Sequence, residues 1–223
     1  MAGTIIADYI RADANRISLN VGNTVIASIN ASGILSNTGN VLISPSGTFD
    51  ANNVTAGTLG KARLPSGSIL QVVQAVKTDT FSISTTTFTD VTVMSVSITP
   101  TSSTSKILVM VNGIVGYYTY MANIRLLRNS TAIGLGDVAG SRPQTTTTVG
   151  TYSPGSTADS YHMVPFTINY LDSPATTSAI TYKIQLAGYS TNATYINRSY
   201  QWQNTSAYDG APSSTITVME IAQ

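Results

Sequence analysis

The sequence predicts an all-β protein, with an N-terminal intertwined β shaft followed by a C-terminal antiparallel β-sandwich head. Three observations support this fold class. Residues that suit strands and turns are abundant, whereas glutamate, a strong helix former, occurs only at Glu220. Apolar and polar residues alternate with a period of two along most of the chain. The inferred strands are short up to about residue 65 and longer after it.

Residues 16–65 have the pattern of a thin ribbon of short strands. Ile17 and Leu19 alternate with polar neighbours, and Gly22 and Asn23 form a turn signal before the next strand. A lone ribbon cannot bury its apolar side and is marginal in water. We therefore expect identical chains to wind around a common axis, with apolar residues of each chain facing their counterparts. These residues are Ile17, Leu19, Ile26, Ile29 and Leu35.

The segment GTLGKARLP, residues 57–65, is predicted to be the joint between shaft and head. Lys61 and Arg63 are concentrated here, although only 9% of the chain is charged. A phosphate-binding loop needs Gly-Lys followed by Ser or Thr and then a helix. In this segment neither the Ser or Thr nor a helix is expected after Lys61. Pro65 removes the backbone donor that the ribbon needs in order to continue. We therefore place the domain boundary after Pro65.

Residues 66–223 predict about eight to ten longer strands, which is typical of a β-sandwich or jelly roll. Residues 107–124 are uncharged over a length that approaches a membrane span, but Gly113 and Gly116 interrupt them. They are predicted instead to form two buried strands, or one long bent strand, around a glycine kink.

Two long polar connections, residues 136–160 and 191–214, are predicted to be structureless. Loops of this length are uncommon within a compact domain and are often functional. We therefore expect the activity of the head to reside in such connections.

Composition limits the partners of the chain and its chemistry. The net charge of +1 gives no general attraction to nucleic acid or to anionic membrane. The absence of cysteine excludes disulfides and thiolate zinc sites.

Composition also argues against several enzyme classes. His162 is the only histidine, and a structural or surface role is favoured for it over catalysis because no G-x-S-x-G motif accompanies it. The ten carboxylates are scattered without an evident glycosidase pair. We predict a protein that is not an enzyme, with no cofactor, catalytic residue or metal site.

The segment 189–209 concentrates aromatic rings among amide and charged side chains. Rings stack on the C–H faces of saccharides, amides and carboxylates pair with the hydroxyls, and such mixtures are common in recognition loops. The alternative is that these rings pack in the core or at a subunit interface. The candidate receptor-binding residues are Tyr195, Asn197, Arg198, Tyr200, Trp202, Asn204, Tyr208 and Asp209.

Several motifs resemble those of bacteriophage tail-fibre and other virion-fibre proteins, marine and cyanobacterial phages especially. They are MAGTIIADYI, RISLNVGNTVIASINASGIL, FDANNVTAGTLGKARLPSGSILQVV, SKILVMVNG, IRLLRNSTAIG, LDSPATTSAITYKIQLAG and STITVMEI. The resemblance implies a homotrimer with a virion-attachment segment at residues 1–15, an intertwined β shaft and joint at residues 16–65, and a jelly-roll head similar to C1q and TNF domains at residues 66–223.

The resemblance also implies partners and a location. The chain would associate with itself as a homotrimer, with other virion proteins at its N-terminus, and with a host cell-surface glycan through its head loops. Neither nucleic acid nor membrane insertion is implied, and the protein would be part of the virion after assembly in the host cytoplasm. One alternative is a purely structural capsid-surface or baseplate fibre that binds no receptor. Another is a polysaccharide-degrading tailspike, which the scattered carboxylates disfavour.

Overall fold

The structure, a computed structural model, describes residues 16–21, 24–30, 33–36, 41–43, 64–118, 120–150, 161–203 and 209–223. The chain divides into two compact units, Met1–Gly60 and Lys61–Gln223. The described residues of both units consist almost entirely of β-strands and their connections, so the all-β prediction is confirmed. The predicted attachment segment, residues 1–15, and most of the predicted joint lie outside the described residues.

The described part of the first unit is one antiparallel sheet, sheet 1, in which the strands follow one another in chain order. Its strands are β1 (Arg16–Val21), β2 (Thr24–Asn30), β3 (Gly33–Ser36) and β4 (Val41–Ile43). The register aligns four isoleucines across this sheet, namely Ile17, Ile29, Ile34 and Ile43. Ile29 is 40% exposed. The expectation that identical chains cover this sheet and intertwine stays a prediction.

The described residues of the second unit form eleven strands. Seven of them have eight to twelve residues, as the sequence predicts, and four have only three or four. The eleven strands are β5 (Ile69–Lys77), β6 (Phe81–Ile83), β7 (Thr89–Ile98), β8 (Lys106–Tyr117), β9 (Met121–Arg128), β10 (Thr131–Ile133), β11 (Thr147–Gly150), β12 (Val164–Asp172), β13 (Ile180–Gly188), β14 (Thr194–Ile196) and β15 (Ser214–Ile221). The segment NIRLLRNSTAIGLG, whose sequence predicts a hairpin with Asn129 and Ser130 near its tip, forms the β9–β10 hairpin. The prediction is confirmed, because both residues lie between Arg128 and its partner Thr131.

These strands form two antiparallel sheets that pack against each other. Sheet 2 has the order β10-β9-β13-β7, with β11 also paired to β9. Sheet 3 has the order β5-β15-β8-β14-β6, with β12 also paired to β8. The predicted β-sandwich is therefore confirmed at the level of a sandwich-like, all-antiparallel arrangement.

One apolar core lies between the two sheets. Alternate residues of the central strands β8 and β13 are buried in it, as the period-two pattern predicts. Sheet 2 contributes Val91, Leu126 and Ile184, for example, and sheet 3 contributes Val109 and Val218. Continuous burial of this kind is the main source of stability for such a unit.

A set of polar side chains centred on the buried carboxylate of Asp172 also connects the two sheets by hydrogen bonds. Arg128 of β9 donates from one guanidinium nitrogen to both carboxylate oxygens of Asp172 of β12, at 3.0 Å each. The hydroxyl of Tyr182 of β13 donates to the same carboxylate at 2.6 Å. Burial and the neighbouring Asp172 charge raise the pKa of Tyr182 well above its usual range, so Tyr182 stays a hydrogen-bond donor.

The uncharged segment, residues 107–124, forms two strands rather than a membrane helix. Among the described residues, no helix has the length and apolar character needed to cross a membrane. The expected glycine kink is wrong in its location, because β8 continues through Gly113 and Gly116 and ends only at Tyr117. Gly113 is instead required for packing, since a side chain there would lie 2.4 Å from the Phe166 ring.

The prediction of two structureless connections is also wrong in part. The stretch 136–160 contains β11, and the stretch 191–214 contains β14. Both strands are only three or four residues long and pair with strands far away in the sequence. Segments this short carry too little periodicity to be distinguished from a loop.

Candidate functional site

The candidate site is built on β14, which pairs with β8 on one side and β6 on the other. Thr194 and Ile196 are buried, so the alternation of a strand turns the side chain of Tyr195, which lies between them, to the opposite face. Tyr195 pairs with Gly116 of β8. The segment that follows β14 folds back over this face of sheet 3.

Asn197 fixes the point at which the chain leaves β14. Its backbone is left-handed, with φ of 63°, a conformation that asparagine tolerates better than most residues. Its N–H donates to the Ile114 carbonyl at 3.0 Å, and its amide nitrogen donates to the carbonyls of Lys77 and Asp79 at 2.8 and 3.0 Å. Ser214 donates to its amide oxygen at 2.6 Å. At 2% exposure, Asn197 anchors the loop and contributes no side-chain surface.

Gly116 allows the loop to lie directly on β8. A side chain at Gly116 would place its first carbon 2.1 Å from the carbonyl oxygen of Arg198 and 2.9 Å from the Cα of Ser199. No substituent fits at those distances. The close approach of loop and strand backbones therefore explains this glycine.

Arg198 is the centre of an aromatic group that we call the Arg198 cluster, formed by Tyr118, Tyr195, Arg198, Tyr200 and Trp202. The guanidinium carbon lies 4.0 Å from the centroid of the Tyr195 ring and 4.7 Å from that of the Trp202 ring. These distances are within the range of cation–π contacts. Trp202 nevertheless remains 45% exposed, so the cluster presents an indole surface to solvent.

The cluster is held together by hydrogen bonds and by further ring contacts. Arg198 donates to the carbonyl oxygens of Ser199 and Tyr200 at 3.0 and 3.1 Å, which fixes the guanidinium relative to its own loop. The Tyr200 ring lies 4.8 Å from the Tyr118 ring and 6.0 Å from the Tyr195 ring. Such pairs add stability beyond the area that they bury.

Asp209 closes the loop. One carboxylate oxygen accepts from the backbone N–H of Gln203 at 2.7 Å, and the other lies 3.3 Å from the Ser199 hydroxyl. Ser199 also donates to the Gln201 carbonyl at 3.0 Å. One oxygen of Asp209 is therefore bonded within the loop, and the other lies beside the Ser199 hydroxyl.

The structure thus brings together four of the eight predicted residues, Tyr195, Arg198, Tyr200 and Trp202. Asp209 supports the loop that carries them, Asn197 is buried beneath it, and Asn204 and Tyr208 lie outside the described residues. Tyr118 belongs to the cluster but was missed by the sequence analysis, because its motif GYYTY lies about 80 residues away from the rest in the chain. The available signal is the presence of three tyrosines within four residues, Tyr117, Tyr118 and Tyr120.

The arrangement offers chemistry for binding. An exposed indole and neighbouring phenol rings can stack on apolar ring faces, and the guanidinium and hydroxyl groups can form hydrogen bonds. Within the described parts of the chain, no group of three or more His, Cys, Asp or Glu side chains is placed to hold a metal ion.

A separate cavity of about 260 Å³ lies elsewhere in the second unit. Leu64 and Leu70 line it together with the hydroxyl-bearing residues Thr101, Ser102, Thr104 and Ser105. It contains none of the predicted site residues. Its lining has no charged or aromatic side chain, so it lacks the chemistry of the Arg198 cluster.

No protein-family model matches this chain. A search of curated proteins also finds no significant match. Fold and residue chemistry are therefore the basis for assigning a function to this surface.

Proposed function

We propose that this chain is a non-enzymatic bacteriophage fibre protein that forms a homotrimer and binds a host cell-surface glycan. Residues 1–15 attach it to the virion, residues 16–65 form an intertwined shaft and joint, and residues 66–223 form a jelly-roll, C1q-like head. The head contacts the host through the Arg198 cluster.

The half-exposed Trp202 held by Arg198 is the observation that carries the receptor-binding function. A large apolar ring at a surface is costly to leave in water, and here hydrogen bonds, ring contacts and Gly116 all serve to fix the loop that presents it. A rigid aromatic anchor loses little conformational freedom on binding. These features favour a surface that is prepared in advance for a ligand.

The strand order supports the jelly-roll assignment. The chain crosses repeatedly between the two sheets: β5 and β6 lie in sheet 3, β7 in sheet 2, β8 in sheet 3, and β9, β10 and β11 in sheet 2. It then continues with β12 in sheet 3, β13 in sheet 2, and β14 and β15 in sheet 3. Repeated crossing between two antiparallel sheets is characteristic of jelly rolls.

The outer face of sheet 3 supports self-association. The register aligns Val72, Met219, Leu108 and Leu171 in one row across four strands. Val72 and Leu171 are exposed, and the other two are only half-buried. The outer face of sheet 2 is polar by contrast, with the Lys183–Asp90 ion pair and the Ser97–Thr181 hydrogen bond. An apolar row on one face only is the pattern of a surface that another subunit covers.

The assembly is tested by the mass of the full chain in solution. We expect a trimer by native mass spectrometry and light scattering. Replacing both Val72 and Leu171 by lysine should lower the stability of the trimer, whereas Ser130→Lys at the β9–β10 turn should leave it unchanged. A monomer for the unmodified chain would contradict the proposal.

Receptor binding is tested with an array of bacterial surface polysaccharide fragments. We expect the trimer to bind a subset of these glycans, and Trp202→Ala to lose binding while the trimer remains folded. Three equivalent sites would multiply a weak single-site affinity through avidity, so the array should be read with the intact trimer. Trp202→Phe is the matched control, and it should retain part of the affinity because a ring is still present.

The second candidate is a purely structural virion fibre with no receptor. Hydrogen bonds within the protein favour this candidate, because polar groups that could bind a receptor already have partners. These groups are the Asp209 carboxylate, the Asn197 amide and two nitrogens of Arg198. This candidate predicts a stable trimer that binds no glycan, with Trp202 covered by a neighbouring subunit. Acrylamide quenching of the single tryptophan distinguishes the two, because an uncovered Trp202 is readily quenched in the trimer.

A further inference from the structure

Two tyrosine rings outside the Arg198 cluster contact each other and stay exposed. Tyr120 lies between β8 and β9, and its ring centroid is 4.3 Å from that of Tyr189, which directly follows β13. The two residues are 44% and 51% exposed. Exposed aromatic rings that carry a polar hydroxyl are enriched at surfaces that contact other molecules.

The backbone of Tyr120 is held in an unfavourable conformation. Its φ is 60°, in the left-handed region that bulky side chains rarely adopt. The turn also packs closely against β11, because a Cβ atom at Gly150 would lie 2.9 Å from the Tyr120 carbonyl oxygen. Backbone strain that is maintained by close packing is concentrated at functional sites.

The tyrosine pair shares both of its chain segments with the Arg198 cluster. Tyr118, whose ring contacts Tyr200, precedes Tyr120 by two residues, so their Cα atoms lie within about 7 Å of each other. Tyr189 begins the connection from β13 to β14, and Tyr195 is the middle residue of β14. The two strands approach each other closely at the ends of this connection, since a Cβ atom at Gly188 would lie 3.0 Å from the Thr194 hydroxyl. The two ring groups are therefore neighbours on one end of the sandwich.

We propose that Tyr120 and Tyr189 form a second ring-stacking subsite, so that the head binds an oligosaccharide of several pyranose units rather than one terminal sugar. This inference rests on the proposed function, because the Arg198 cluster supplies the first subsite. The pair offers phenol rings for the apolar C–H face of a pyranose, together with two hydroxyl groups for its hydroxyls.

The test uses the full chain and an array in which the same bacterial surface glycans are printed as fragments from one to six sugar units. Affinity for a recognised glycan should rise with the length of the fragment. Tyr189→Ala should lower the affinity for the longest fragments by roughly three- to tenfold and leave that for the shortest bound fragment unchanged. Tyr189→Phe keeps the ring and should retain the length dependence.

A second variant removes the other ring without disturbing the turn. Tyr120→Asn suits the left-handed backbone, and it should reproduce the effect of Tyr189→Ala. Folding of each variant is checked by urea unfolding. If both variants bind every fragment as the unmodified chain does, the second subsite is overturned while the proposed function stands. If the two variants lower the affinity for fragments of every length by the same factor, the second subsite is likewise overturned. If the unmodified chain binds no glycan, the proposed function fails and the subsite with it.

Discussion

The side-chain amide of Asn197 donates a hydrogen bond of 2.8 Å to the carbonyl oxygen of Lys77, and this bond ties the loop of the Arg198 cluster to the end of β5. The two residues are 120 positions apart in the chain. The same amide also bonds to Asp79 and Ser214. The surface that presents Trp202 therefore depends on a buried amide that touches no ligand.

Replacing Asn197 by alanine should lower the free energy of unfolding by roughly 2–3 kcal/mol, because buried carbonyls and the Ser214 hydroxyl lose their partner. The left-handed backbone adds to the cost. Urea unfolding followed by the fluorescence of Trp202, the only tryptophan, measures the change. Thr191→Ala, at an exposed position of the preceding connection, is the control and should be neutral. An equal effect of both variants would show that Asn197 is not the anchor.

Gly116→Ala should displace the loop of the Arg198 cluster. Its added methyl group would overlap the Arg198 carbonyl, and relief of this overlap should cost about 2 kcal/mol of stability. We expect a changed Trp202 emission maximum together with weaker glycan binding. Gly136→Ala is a matched control, since nothing lies within 4 Å of the added carbon there. Wild-type behaviour of Gly116→Ala would contradict the close packing of the loop on β8.

Glu220 should make stability depend on pH. Its carboxylate is fully buried; burial acts to raise its pKa, but hydrogen bonds from Thr101 and Gln71 prevail and lower the pKa in the folded state. The stabilisation is therefore fully present above the ordinary value of 4.5 and is lost as the pH falls from there through the lowered value.

The variant Glu220→Gln isolates this contribution. At pH 7 it should be less stable than the unmodified chain by about 2 kcal/mol, because an amide cannot accept all of the same hydrogen bonds. The difference should shrink as the pH is lowered below 4.5. Urea midpoints measured across this range provide the test. A difference that stays constant with pH would show that ionisation of Glu220 does not contribute.

Val93 has an unfavourable backbone conformation, so replacing it should increase the stability of the folded chain. Its φ of 67° is unusual for a β-branched residue, and it lies where the register of β7 and β13 shifts. Because its side chain is exposed, Val93→Asn should raise the free energy of unfolding by about 1 kcal/mol. Val93→Gly should give a smaller gain, since glycine also stabilises the unfolded chain. A loss of stability on both substitutions would reveal contacts of Val93 that outweigh the strain.

Much of the candidate site could be predicted from the sequence because its residues lie close together in the chain. Tyr195, Arg198, Tyr200 and Trp202 fall within eight positions, so a loop is enough to bring them into contact. Asn197 shows the limit of that reasoning. The sequence shows that Asn197 is a polar residue in an aromatic segment. It does not show that the side-chain amide of Asn197 will donate its hydrogen bonds to backbone carbonyls from a distant part of the chain.

The sequence by itself determined the all-β class, the long strands of the second unit and the turn at Asn129 and Ser130. These features depend on alternation and turn propensity, which act between residues near one another in the chain. Only the tertiary structure decided which strands pair. It places β8 between β12 and β15, and it adds β11 and β14 to the sheets.

The physical reason is that the alternation of apolar and polar residues assigns each side chain to one face of a sheet, but it does not determine which strand pairs with which. Partners are chosen by the packing of the two sheets as a whole. The same packing decided that Gly116 meets the Arg198 carbonyl and that Tyr120 meets Tyr189. Those contacts, made between distant parts of the chain, create the surface to which we assign glycan binding.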